Sequence, residues 1–244
     1  MKKVSFWLNL TASIALAVLC GWLFYERGES MTDAKWSLPL WYVAFLLVAV
    51  PVVDFVHELG HIIVGNCLKM GVGFPKIKFF SSSSVSVNPK TDKALKGRMV
   101  ATSLAGIIFT LAIVIFGVVA LFVPQIPAVC ICLLPYAFYL TINNALPFEY
   151  GGDRTDGLVA YELIFDKPEG QVLLTLLTVV AKLNLGENLE DVDESLIMDV
   201  PQLCDDDAYF YILTQLRADY YSARGEEEKA QKYQERLAML NEEF

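Results

Sequence analysis

His57 and His61 stand four residues apart in the run His57-Glu58-Leu59-Gly60-His61. On a helix that spacing puts both imidazoles on one face, one turn above another. Two imidazoles so placed can bind one zinc ion, and the adjacent Glu58 can take a proton from water that the ion activates. The chemistry is that of a zinc peptidase, with Glu58 as the catalytic base. A short pattern of this kind also arises by chance, and a polar cluster that merely joins helices is the plain alternative. Three features favour the metal. The chain has 2 histidines, and both belong to the motif. The motif lies in a long apolar stretch, where an ionised side chain costs about 2.5–3.5 kcal/mol on insertion scales. Gly60 leaves a close-packed spot on the same helix.

The histidine count also bears on the third ligand. A catalytic zinc takes three protein ligands and keeps one position open, so a carboxylate or a cysteine must supply the third. Cys67 follows His61 off the motif's face, and Cys130 and Cys132 fall near the opposite membrane face. Glu149, Asp153 and Asp156 follow the last apolar stretch and return level with the motif. Asp54, one turn before His57, can bond a ligating histidine or stand solvated in an access cavity.

The elements that must position these residues are apolar and long. Apolar side chains make up 55% of the 244 residues, above the usual 45–50% of soluble proteins. Four stretches suit a hydrocarbon core of about 30 Å, which takes roughly 20 helical residues. They run over about 6–25, 38–68, 99–123 and 126–147. Lipid offers no hydrogen bonds, so all four are expected to be helices. The first could instead be a secretory signal, with Lys2 and Lys3 at its head. Its length and the lack of a small-x-small cleavage site favour a retained helix. Pro51 predicts a kink in the second helix.

Loop charge sets the expected orientation. The loop 69–99 carries Lys69, Lys76, Lys78, Lys90, Lys93, Lys96 and Arg98 against Asp92, whereas the loop after the first helix is slightly acidic. The positive-inside rule then puts the N-terminus and loop 69–99 in the cytoplasm. The fourth helix returns the chain there, so both termini are expected to be cytoplasmic in a multi-pass protein of the cell membrane. Within that loop, Phe79-Phe80, Ser81 to Ser84 and Val85-Ser86-Val87 fit strands or a re-entrant hairpin, and fit a flexible serine-rich loop equally well.

The remaining residues are acidic and account for the net charge of −9. That balance argues against nucleic-acid binding, which needs a basic face. Five cysteines, mostly in or beside apolar segments, do not suggest a disulfide framework. Helices are expected near 157–166 and 171–184, an acidic loop-rich stretch over 186–207, and a helical hairpin broken at Gly225. The hairpin faintly resembles a single tetratricopeptide unit, but a plain hairpin fits better. The fold expectation is an all-α membrane protein with four transmembrane helices and a C-terminal cytoplasmic helical region. Residues 1–37 form the first helix and an external loop, 38–160 a core, and 161–244 an acidic tail that a protein partner could bind.

On these motifs the chain resembles the site-2 protease family of intramembrane zinc metalloproteases, over about residues 40–160. The matching residues are His57, Glu58 and His61, then Asn144-Ala145-Leu146-Pro147, then Asp156-Gly157, with Ala105-Gly106 matching a small-residue motif on the middle helix. The resemblance implies a three-helix metalloprotease core, Zn2+ on His57, His61 and Asp156, and Asn144 as a substrate-binding residue. The run from Pro147 to Asp156 exceeds the family's shortest versions, which leaves Asp153 as a competing ligand. Asn144 could equally cap its helix. The implied substrate is a transmembrane or membrane-proximal protein segment, cleaved within the bilayer and bound as an added strand along 77–88. A zinc-binding or transport protein and an inactive scaffold on the same fold are the rival functions.

Overall fold

The computed structural model describes residues 2–28, 34–74, 86–150 and 153–243. Four of its helices are long and apolar enough to cross a membrane: Ser5–Arg27, Lys35–Cys67, Leu95–Phe122 and Ala128–Ala145. They belong to α1 (Lys2–Arg27), α2 (Leu38–Cys67), α3 (Leu95–Phe122) and α4 (Leu134–Ala145), the last preceded by a 3-10 stretch Ala128–Leu133. Beyond them come a two-residue hairpin, β1 (Glu149–Tyr150) and β2 (Asp153–Arg154), and then α5 (Asp156–Ile164), α6 (Pro168–Asn184), α7 (Glu194–Met198), α8 (Ala208–Ala223) and α9 (Glu227–Glu243). Apart from that short hairpin the regular structure among the described residues is helical, including the C-terminal region.

The long helices carry exposed apolar side chains on their outer faces, including Leu8, Val18, Leu40, Leu47, Ile108, Ile115 and Val119. A face of that size is unfavourable in water and is suited to hydrocarbon. Their inner faces meet through small residues. A Cβ on Gly60 of α2 would lie 2.8 Å from the Ala105 carbonyl oxygen of α3, and one on Gly117 would lie 2.8 Å from Leu134 Cβ. Such contacts let helix backbones approach closely where lipid supplies no hydrophobic driving force. Helix α1 packs chiefly on α4, where Asn9 Nδ2 donates to the Tyr139 carbonyl at 3.2 Å. Its last residue, Arg27, caps the end of α3 by donating to the carbonyls of Ala120, at 2.6 Å, and Leu121.

Two boundaries differ from the sequence expectation. Helix α3 begins a turn earlier than residue 99, because Lys96 and Arg98 lie in its first turns. Charges end an apolar stretch without ending a helix, and Arg98 has work there: it donates to the Leu68 carbonyl just past α2. In the fourth span the α-helix proper starts at Leu134, with Pro135 in its first turn. Proline lacks the N–H that a first turn leaves unpaired, so it suits a helix start. Pro51 lies inside α2, and the helix continues through it.

Most of the expected strand region, 77–85, lies outside the described residues. Its flank does pair: Gly73 N donates to Ser86 O, Asn88 N to Met70 O and Lys90 N to Lys69 O, all at 2.9–3.0 Å. Helix α6 closes over this end of the bundle. Its Leu173, Leu177 and Ala181 share a buried cluster with Met70, Val72, Leu95, Val159 and Leu163. Its other side faces the tail, with Val172 against Leu203, Phe210, Leu213 and Leu240, and Val179 against Val192, Ile197 and Tyr220. The stretch 186–207 contains α7, and the tail hairpin α8–α9 turns at Gly225, whose φ of +72° favours glycine.

Candidate metal centre

Helix α2 buries His57, Glu58 and His61, each 5% exposed. Their shared turn faces α3, and the approach of α3 determines how the rings sit. His61 Nδ1 lies 2.7 Å from the Thr102 carbonyl oxygen. A carbonyl only accepts, so Nδ1 carries the proton and the neutral ring's lone pair is on Nε2. Gly106 of α3 is the other constraint. A Cβ there would stand 2.4 Å from His61 Nε2 and 2.7 Å from His57 Cε1. Only glycine leaves both rings where they are.

Asp156 arrives from the far side as the first residue of α5. Two neighbours place it. Thr155 caps α5 by accepting from Leu158 N at 3.3 Å, and its hydroxyl donates to the Leu146 carbonyl at 2.7 Å. That fastens the start of α5 to the end of the Asn144–Pro147 segment. Gly157 allows the approach itself, because a Cβ on it would lie 2.3 Å from the Ala145 carbonyl oxygen. Its value is therefore close contact with α4, and its φ is not positive.

The result is a nearly equilateral triangle. His57 Nε2 and His61 Nε2 are 3.2 Å apart, and Asp156 Oδ2 is 3.0 Å and 3.3 Å from them respectively. Ligands at 2.0–2.1 Å around a tetrahedral ion are separated by about 3.3 Å, so the triangle has the size of one tetrahedral face. Asp156 Oδ2 and His57 Nδ1 are both buried and have no hydrogen-bond partner of acceptable geometry. Three electron-pair donors converging on one point are a set that can hold a metal ion. Asp156 thus adds a carboxylate to two imidazoles, a donor set of the kind that suits zinc. Glu58 lies outside the triangle and near enough to interact with His61, His57 and Asp156.

The other sequence candidates fall elsewhere. Asp153 is an exposed residue of the hairpin, paired in register with Tyr150, and is not among the triangle's residues. Asn144 Nδ2 donates to the Leu140 carbonyl at 3.2 Å, a bond within α4. Asp54 accepts from Tyr136 Oη at 2.7 Å and so ties α2 to α4; it is not a partner of His57 Nδ1. Cys67 is exposed, and Cys132 is buried with Phe24 and Leu38. Sequence reasoning missed Thr155, Thr102 and Arg154. Thr155 was discoverable, since a threonine directly before a helix start is a capping signal. The Thr102 contact uses a backbone carbonyl and leaves no trace in residue type.

No family model, curated protein or solved structure matches the chain.

Proposed function

We propose that the protein is an intramembrane zinc metalloprotease, acting on transmembrane or membrane-proximal protein segments in the cell membrane. The observation that carries this reading is the triangle of His57, His61 and Asp156 with Glu58 beside it, on helices of membrane-spanning length. The resemblance to the site-2 proteases supports it, because the three residues are those that the family's motifs pick out. His57, His61 and Asp156 would hold Zn2+. When bound, the ion supplies Lewis acidity to a carbonyl and to water.

The chain's own residues supply the rest. Glu58, buried and following His57 on α2, would take the proton of the attacking water and pass it to the leaving amine. Thr102 holds His61 in one tautomer and orientation. The site lies between α2, α3 and the start of α5, with His57, Glu58 and His61 buried and Asp156 partly exposed. A helix hides its carbonyls, so a substrate segment must unwind locally to reach Glu58.

The test is Glu58→Gln with a co-expressed membrane substrate. Loss of the general base lowers cleavage by about 10²–10⁴-fold, while zinc content stays at the wild-type level. Undiminished cleavage by this variant would sink the protease reading. Zinc flux into proteoliposomes without proteolysis would point to the transport alternative.

A further inference from the structure

Asp156 is anchored from two directions, toward the end of α4 and toward the C-terminal helices. Thr155 fastens it to α4. Arg154, the residue before Thr155, reaches the opposite way into the C-terminal helices. Its Nη2 donates to Asp207 Oδ2 at 2.5 Å and its Nη1 to Asp207 Oδ1 at 3.3 Å. Its Nε donates to Glu162 Oε1 of α5 at 3.1 Å. The guanidinium also stacks on the Tyr209 ring, 4.2 Å from its centroid. The Arg154, Glu162 and Asp207 side chains are only 6%, 6% and 12% exposed.

Charge neutralisation does not explain this arrangement. Glu162 alone would balance Arg154. The second carboxylate comes from a distant element and grips the guanidinium through two bonds. Buried ion pairs of this kind add little stability over apolar replacements, and their best-attested use is to fix registry. Asp207 has a second task that makes it a link: its Oδ1 accepts from Tyr209 N at 2.8 Å and caps α8. The start of α8 and the strand leading to Asp156 therefore share one carboxylate. The hairpin of β1 and β2 has two residue pairs, too few to hold its own shape, so its path depends on such anchors.

We propose that Arg154 and Asp207 are positioning residues, through which the C-terminal helical unit holds Asp156 on the metal triangle and controls metal affinity. This rests on the metal reading above. Coupling of this kind is reciprocal: whatever the unit contributes to metal binding, metal binding contributes to the docking of α8.

The experiment uses the full-length protein in detergent, with zinc affinity read by chelator competition and the site's geometry read from the visible spectrum of the cobalt-loaded protein. Asp207→Asn keeps an α8 cap, since asparagine caps as well as aspartate, and removes one of the two carboxylates facing Arg154. It is expected to weaken zinc binding by about tenfold or more and to alter the cobalt spectrum, with Asp207→Glu recovering part of the loss. Tyr221→Phe removes a hydrogen bond to Glu194 inside the same unit and should change neither readout. Zinc affinity of Asp207→Asn and Asp207→Ala both within about twofold of wild type overturns the clamp. Hydrogen exchange on the wild type needs no variant to fold: added zinc should protect residues 207–213 as well as 153–160, and protection confined to 57–61 and 156–160 overturns it too. A wild type that binds no zinc overturns the metal reading itself; a wild type that binds zinc while the variants are unaffected overturns only the clamp.

Discussion

His57 Nε2, His61 Nε2 and Asp156 Oδ2 lie within 3.3 Å of one another, and that crowding governs substitutions around them. Asp156→Ala removes one corner and should reduce bound zinc from about one per chain to a small fraction, measured by metal analysis of the purified protein. Asp153→Ala, on the exposed hairpin, should leave zinc content unchanged. Gly106→Ala adds one methyl group, yet that methyl meets His61 Nε2 at 2.4 Å. His61 cannot turn away freely because Thr102 holds its other nitrogen. Overpacking of this sort costs about 1–3 kcal/mol, so chelator competition should show zinc affinity lower by about tenfold or more.

At the scale of elements, the site depends on the close approach of α2 to α3 and of α5 to α4. Gly157→Ala tests the second. The added Cβ would meet backbone, the Ala145 carbonyl oxygen at 2.3 Å, so α5 must move as a body. Gly97→Ala in α3 is the contrast, because a Cβ there meets nothing within 4 Å. The expected outcome is a lower thermal midpoint and less zinc for Gly157→Ala. Gly97→Ala should be neutral or stabilised by up to about 1 kcal/mol through helix propensity. Much of this element layer was readable beforehand. Apolar stretches long enough for lipid announce α1 to α4, and Asn144 to Gly157 announced a segment returning to the motif. The start of α3 is not legible in this way, because a hydropathy boundary marks where lipid ends, and the helix continues past it to bring Arg98 to Leu68.

For the whole molecule, α6 is the joint. One side packs on the cytoplasm-expected end of the bundle, and the other buries Val172 and Val179 against the tail helices. Deleting residues 186–244 therefore bares two apolar clusters as well as removing Asp207. The truncated protein should aggregate or be degraded, which size-exclusion chromatography in detergent would reveal. Loss of proteolysis on such a deletion would then report folding, and the point substitutions at Asp207 are the cleaner probe of the tail. The outer faces of α1 to α3 carry Leu8, Leu47 and Ile115 exposed, so the folded body is complete only when lipid or detergent covers them.

By itself the sequence determined what is local. Helical period and a four-residue spacing are enough to stack His57 above His61 with Glu58 alongside, and length with apolarity is enough to mark four spans. A count of two histidines also restricted the third ligand to another residue type. Only the tertiary structure shows which carboxylate meets the two histidines. Asp153 and Asp156 are three residues apart on a segment far along the chain from the motif, and spacing cannot choose between them. The choice is made by contacts between distant elements. Gly157 lets α5 touch α4, Thr155 pins it there, and Arg154 is drawn the other way toward Asp207. The Thr102 carbonyl beside His61 belongs to the same class, since every residue has a carbonyl and packing alone selects this one.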